Sequence, residues 1–418
     1  MAGGPVVVGK DPMPGAGQCQ NRTTRRERSA LGCCFQAIAL AAALVAGSTA
    51  RAGDGAEESR FTLNGFGTAG LTRSSSPEAG FVRELSQPHG SMGKWTGKVD
   101  SLLGVQGNWR ANDEWTLVGQ VVSRYRLGSS YNPELMWGFA RFDPNGYTSF
   151  RLGRLGTDFY LFADSRQVGY SYLTVRPSAD YFGVLPFAHI DGGDAQLTLP
   201  LGSSLLRGRV HLGWLRETLP LADRRWELRG SRMMGGSLSL QQGPWTVRLS
   251  SSQLKFGHNL PIDDVTGNLR LVGATAAADA LDVAGSRSRF DSLGTVYEEG
   301  PVQAQLMLSN AHHTSQSFQN WRAGYALAGY RMGSLTPFVG YSWIRSSSRN
   351  LATGLPNVFP LSLINAATAA VLADGHSDQR TASLGLRWDC RENMDLKLQY
   401  DAIRGKASSI FPYRDETA

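Results

Sequence analysis

The sequence predicts an all-β chain, a transmembrane antiparallel up-and-down β-barrel of about 16 strands. Three observations lead there. Segments of alternating polarity follow one another roughly every twenty residues from Arg60 onward. The connections between them are by turns tight and long. Finally, the chain holds 49 Gly, 10 Trp and 13 Tyr with only 18% charged residues. Its mean hydropathy of −0.24 is too low for a helical membrane protein. A strand turns successive side chains to opposite faces, so each segment asks for an apolar medium on one side and water on the other. A barrel with a polar interior supplies both, and it places aromatic girdles at the interfaces.

The N-terminus is set aside first. Arg22, Arg25, Arg26 and Arg28 precede an apolar run at 31–45, and Ala50-Arg51-Ala52 fits a small-x-small cleavage pattern. Residues 1–52 therefore read as a signal peptide, with 1–20 an over-extended start, and 53–418 as the barrel. The leader carries six basic residues against two acidic ones, so the rest of the chain is left near +3 rather than +7. The high pI then says nothing about nucleic acid. Cys390 is the one cysteine beyond the leader, so no internal disulfide is expected.

The alternation is clear in several segments. In 396–401, Leu396, Leu398 and Tyr400 oppose Lys397, Gln399 and Asp401. In 381–389, Ala382, Leu384, Leu386 and Trp388 oppose Ser383, Arg387 and Asp389, and in 245–250, Trp245, Val247 and Leu249 oppose Thr246, Arg248 and Ser250. Strands are expected at 61–73, 98–110, 115–126, 135–143, 147–155, 194–200, 205–216, 225–240, 245–256, 287–298, 302–312, 320–331, 335–346, 380–390 and 395–406. Turn chemistry such as Asn145-Gly146 and Gly243-Pro244 suits the short connections. Short turns on one rim and longer loops on the other are the two ends of an outer-membrane barrel. The stretch 361–373 falls short of the roughly 20 apolar residues a spanning helix needs, and reads as a short helix inside a loop.

Fifteen strands are visible, whereas single-chain bacterial barrels use even numbers. Either one strand is miscounted or a closing strand is absent from this sequence, and we take the second reading.

The hairpin 137–156, with Phe150-Arg151-Leu152-Gly153-Arg154, is followed by a long segment holding Asp158-Phe159-Tyr160, Asp164-Ser165-Arg166, Val175-Arg176-Pro177 and Asp180-Tyr181-Phe182. In these features residues 60–406 resemble the Gram-negative outer-membrane general porin family. The resemblance implies that the loop near 156–193 folds into the barrel and narrows it, and that the assembly is a homotrimer in the bacterial outer membrane. Lipid, lipopolysaccharide and small hydrophilic solutes are the implied partners. The C-terminus departs from that family, since residues 412–418 supply no strand with a terminal aromatic residue.

Taking the aliphatic and aromatic parity as lipid-facing, the other parity lines the lumen. That set holds Gln120, Arg124, Arg126, Arg151, Arg207, Arg209, His211, Arg229, Arg248, Arg322, Arg387 and Lys397, against the acidic Glu227, Asp389 and Asp401. Arg124, Arg151, Arg207, Arg209 and Arg248 are the candidate basic pore wall. The candidate constriction loop carries Asp158, Asp164 and Asp180 with Arg166 and Arg176, and Asp191 near its end. A basic wall facing an acidic loop sets a transverse field across water, and Arg rings tilt selectivity toward anions. Passive diffusion of small hydrophilic solutes with slight anion preference is the expected function. The alternative is a substrate-specific channel for a sugar, carboxylate or phosphate; a structural barrel or an outer-membrane hydrolase stands further off. Arg154 shares parity with Phe150 and Leu152, so it faces lipid, the rim or a neighbouring subunit unless a bulge intervenes. Trp109, Trp115, Trp214, Trp226, Trp245 and Trp388 read as interfacial anchors. The weak alternation of 135–143 suits strands facing another subunit or the folded-in loop.

No nucleophile elbow, phosphate loop, dinucleotide fingerprint or clustered Cys/His spacing occurs, so neither catalysis, cofactor nor metal is expected. His312-His313 would point to opposite faces of a strand and would not readily share an ion.

Overall fold

The computed structural model describes residues 33–40, 59–77, 79–185, 187–221, 224–405 and 413–415, with 33–40 and 413–415 described as backbone. Fifteen strands run between Phe61 and Gly405: β1 (Phe61–Leu71), β2 (Leu102–Arg110), β3 (Trp115–Arg124), β4 (Glu134–Phe142), β5 (Thr148–Gly156), β6 (His189–Leu201), β7 (Ser204–Trp214), β8 (Arg232–Gln242), β9 (Trp245–Lys255), β10 (Arg287–Glu299), β11 (Val302–His313), β12 (Trp321–Tyr330), β13 (Leu335–Ser346), β14 (Asp378–Arg391) and β15 (Met394–Gly405). Each pairs antiparallel with its neighbours in sequence, an up-and-down order without crossovers. Short turns and long loops alternate along the whole sheet. The tightest turns, Gly243-Pro244 and Gly300-Pro301, open on glycines at φ +53° and +55°, where a side chain would be strained.

The alternation expected from the sequence is realised in register. In β14 and β15, Leu384, Leu386, Trp388 and Leu398 are exposed on the outer face, whereas Lys397, Gln399 and Asp401 are buried inside. Leu63, Leu152, Val210, Leu249 and Val339 continue the outward apolar surface. Near the short-turn rim, aromatic side chains stack across strands, Trp115 on Phe142 at 4.7 Å and Trp245 against Tyr297 at 4.8 Å between ring centroids. Trp109, Trp214 and Trp388 are likewise exposed on the outer face. An outer belt of this kind has no favourable contact with water and suits lipid.

β1 and β15 do not pair with each other, so the fifteen strands leave one strand position between them. The backbone of Cys33–Leu40 runs antiparallel to both, with Ile38 opposite Leu71 and opposite Leu398. This stretch belongs to the apolar run read from sequence as the core of a leader; the cleavage pattern at 50–52 and residues 1–20 lie outside the described residues.

Three differences from the expected boundaries matter for the lumen. The strand expected at 225–240 is broken at Gly230, φ +78°, a backbone conformation that ends the strand before Ser231. Its first part, Arg224–Glu227, pairs instead with Thr218–Leu221 as a small hairpin in the loop between β7 and β8. Glu227 and Arg229 therefore leave the wall, and Trp226 is a buried loop residue rather than an interfacial anchor. Second, β6 begins at His189 instead of 194, because Gly192-Gly193 carries no side chain to register the alternation. Third, the loop between β9 and β10 contains α2 (Asp263–Leu271) and α3 (Thr275–Leu281). With α4 (Leu361–Asp374), which falls where a short loop helix is expected, they bury Leu269, Ala278, Leu281 and Leu372 together as a helical cap beside the long-loop rim.

The inner face is not uniformly polar. On β10 to β13 it presents Phe290, Met307, Ala323, Tyr325, Leu327, Phe338 and Ile344, all buried in the largest apolar cluster of the molecule. The loop after β5 packs Phe159, Tyr160, Leu161, Leu173, Tyr181 and Phe182 into that cluster, and the loops after β7 and β9 add others, among them Trp226 and Phe256.

Candidate functional site

The loop after β5 spans 157–188 and starts and ends together, since the Thr157 amide donates to the Ala188 carbonyl at 3.1 Å. From there it lies inside the sheet and rests on the apolar wall. Phe159 meets Phe290 edge-on at 5.5 Å, and Phe182 meets Tyr325 at 5.5 Å. Tyr181 lies beside both Tyr160 and Tyr325. Each such ring buries enough apolar surface to contribute about 1.5–3 kcal/mol relative to exposure. Close approach is possible because the facing strands thin out: a methyl group at Gly294 would come within 3.1 Å of Leu161, and one at Gly329 within 2.6 Å of Leu173. Ser250 and Ser292 both donate to the Phe159 carbonyl, the latter at 2.8 Å.

Farther along, polar contacts carry the loop to the last strands. The Val175 amide donates to Gln399 at 2.8 Å. Arg176 forms two bonds to Asp100, at 2.7 and 2.6 Å, one to Asp401 at 3.2 Å, and stacks over Phe81 at 4.9 Å. Lys397 donates to the Gly169 and Tyr172 carbonyls at 2.6 and 2.5 Å. Burial raises the pKa of Asp100, but the Arg176 guanidinium lowers it further, and the carboxyl ends below the usual range. Asp180, on α1 (Ala179–Phe182), accepts from Ser342 at 2.7 Å and from Gln379 at 2.6 Å. Among the described residues no cation faces it, and burial pushes its pKa up to about 6.

The candidate loop residues thus divide. Arg176 and Asp180 hold the loop down, and Arg166 is folded into the loop itself, donating to the Tyr160 hydroxyl and the Phe187 carbonyl. Asp158 and Asp164 remain for the lumen. Asp164 is exposed, whereas Asp158 touches the basic wall directly: it pairs with Arg209 at 3.1 Å and with Arg248, and accepts from Ser237 at 3.2 Å. The separation between acidic loop and basic wall expected from sequence is closed at this point by contact. Burial alone would raise the pKa of Asp158, but Arg209 and Arg248 draw it below the carboxylate norm, so it stays ionised.

The wall residues divide as well. Arg207, Arg209 and Arg248 lie on one patch of β7 to β9, where register sets Arg207 and Arg248 on either side of Ser239, and Arg209 beside Ser237. Arg207 is exposed and forms no hydrogen bond or ion pair among the described residues. Arg151, on β5, forms a two-toothed pair with Asp194 of β6. Arg124 belongs elsewhere: it is buried at the long-loop rim against Glu84, Ser86 and Glu134, with Arg126 close by. Arg154 faces outward at that rim, its Nε 2.7 Å from Asp191, which also meets Arg216 at 2.9 Å. Asp191 therefore sits on the outer face of β6 and not in the loop. On the lumen patch, Arg151, Arg207, Arg209 and Arg248 face Asp158, Asp164 and Asp194, a surplus of one positive charge.

Sequence reading missed Asp194, Asp100 and Glu84, the carboxylates that neutralise Arg151, Arg176 and Arg124. For Asp194 a signal existed, since it shares the inward parity of Gln196 and Thr198; Glu84 sits in the loop after β1, where no periodicity operates, and Asp100 falls in the expected strand 98–110, which begins only at Leu102. His312 and His313 bind different partners, Asn320 at 2.9 Å and Ser288 at 2.6 Å. Among the described residues no group of three or more His, Cys, Asp or Glu is placed to hold a metal, and no helix is long and apolar enough to cross a membrane.

A sheet of this order, with an inward loop and an outward apolar belt, is a porin-like antiparallel β-barrel fold. No family model matches the chain, and no curated protein matches it. Among solved structures it is similar to a loop-deletion mutant of OmpT, an outer membrane protein of Vibrio cholerae, at 13% identity over 83% of this chain and 100% of that one, with a TM-score of 0.45. It is also similar to Salmonella typhi OmpF in complex with daunomycin (10% identity, 83% and 97% covered, TM-score 0.46) and to an anion-selective porin from Comamonas acidovorans (11%, 82% and 99%, TM-score 0.42).

Proposed function

We propose that the chain is an outer-membrane channel for passive diffusion of small hydrophilic solutes, with a slight preference for anions. The arginine patch on β7 to β9 carries the reading: three guanidiniums line one stretch of inner wall, and among the described residues Asp158 is the one carboxylate in contact with them. Arg207, unpaired and exposed, is the group an incoming anion would meet. Residues 1–52 would serve as the export signal, lipid and lipopolysaccharide would surround the outer belt, and a homotrimer is the assembly we favour.

Reversal potentials of single channels across a salt gradient test the selectivity. We expect mild anion selectivity in the native chain, and Asp158→Asn should strengthen it by releasing Arg209 and Arg248. Cation selectivity in the native chain would overturn the anion clause.

The extensive seat of the loop on β10 to β15 favours a second reading, a channel specific for one small solute. Liposome swelling separates the two, because a size cutoff alone means general diffusion and saturable uptake means a specific site.

A further inference from the structure

On the long-loop side of the inserted loop, the lumen holds a partly open apolar cavity of about 200 Å³. Trp226, Phe256 and Phe318 form one aromatic wall, with ring centroids 5.4 to 5.7 Å apart. Phe290 and Trp321, 5.8 Å apart, form another, and Leu254 lies between strand and loop. Apolar side chains in this number are foreign to a water-filled vestibule. Apolar space of this size need not fill with water: an apolar cavity of about 150 Å³ stays dry and takes up one benzene.

The polar groups on the lining are mostly committed to partners within the protein. Ser288 and His313 bond at 2.6 Å, while Gln319 donates to the Leu372 carbonyl at 2.7 Å and accepts from Ser346 at 2.8 Å. The exception is Trp226, which is 5% exposed and whose indole N–H has no partner among the described residues. That N–H is closed off from the cavity, so the ring faces of the lining are what a ligand meets.

We propose that this cavity binds one neutral, single-ring aromatic molecule of the size of phenol. The ring would lie among Trp226, Phe256 and Phe318. The cavity volume restricts the ligand to one ring. A carboxylate is disfavoured because Arg289, the cation of the described lining, is paired with Asp291, and Asp374 adds a negative charge.

The test is a fluorine NMR titration of 4-fluorophenol into the full-length protein in detergent, with competition by unlabelled phenol and by glucose. Because no ion flow is measured, the result is independent of the channel reading. Two variants fill the space: Ala311→Phe on β11, and Val371→Phe on α4, outside the strands. We expect saturable one-to-one binding that phenol displaces and glucose does not, weakened at least tenfold in either filled variant. Should Ala311→Phe fail to fold, Val371→Phe decides alone. Absence of saturable binding in the native chain, or equal binding in a folded Val371→Phe protein, would overturn the proposal.

Discussion

Asp180 is a carboxyl that the loop places where water and cations do not reach. Burial is the dominant influence on it, ahead of the hydrogen bonds from Ser342, Thr381 and Gln379, and its pKa rises to about 6. A carboxyl whose folded value lies above its unfolded value adds stability below the unfolded value, near pH 4, and loses it as pH climbs through 6. Thermal unfolding in detergent from pH 4 to 7.5 should therefore show a native chain that weakens across that window. Asp180→Asn keeps the neutral form at every pH, so the gap between the two proteins should change with pH by about 3 kcal/mol at most. A gap independent of pH would contradict the assignment. None of this was legible in the sequence. Asp158 and Asp180 look alike there, and only the groups brought against them, two guanidiniums in one case and hydroxyls and an amide in the other, set their different charge behaviour.

At the level of elements, the strands were readable because period two is a local property. Every expected strand has its counterpart in β1 to β15, and the alternation of turn and loop lengths holds throughout. What resisted reading was any place where local period carries no information. Gly192-Gly193 hid the start of β6, and Arg224–Glu227 alternates well enough to pass for barrel although it belongs to a loop hairpin. On β10 to β13, inward and outward residues are both apolar, so parity cannot tell the loop's seat from the outer belt. The sequence offered 135–143 for that role or for a contact with another subunit; among the described residues β4 supplies Phe139 to the main cluster, with Met136 buried in a smaller one. Loop seating is also where a large effect is expected. Removing the Arg176 guanidinium strands two buried carboxylates, Asp100 and Asp401, at a cost of about 3–5 kcal/mol. Arg176→Ala should lower the unfolding temperature and give noisier, larger single-channel currents. Unchanged noise and conductance would mean that Arg176 does not hold the loop in the lumen.

For the whole molecule, the central question is the seam between β1 and β15. Backbone N–H and C=O groups left unpaired in a bilayer cost several kcal/mol each, so the position between these strands must be occupied in a membrane. Cys33–Leu40 pairs with both edges, yet it lies within the segment that the sequence marks for removal. N-terminal sequencing of protein extracted from membranes distinguishes the two fates. Cleavage after Ala52, giving a chain that begins at Gly53, is the expected result. A chain that still contains residues 33–40 would overturn the leader assignment and leave that stretch as a structural strand.

The division between the aromatic seat on β10 to β13 and the arginine patch on β7 to β9 has an evolutionary consequence. Attachment of the loop and its charge toward the lumen reside in different side chains, Phe159, Tyr181 and Phe182 for the first, Asp158 and Asp164 for the second. Selection can therefore retune what the passage admits, one carboxylate at a time, without renegotiating how the loop is held.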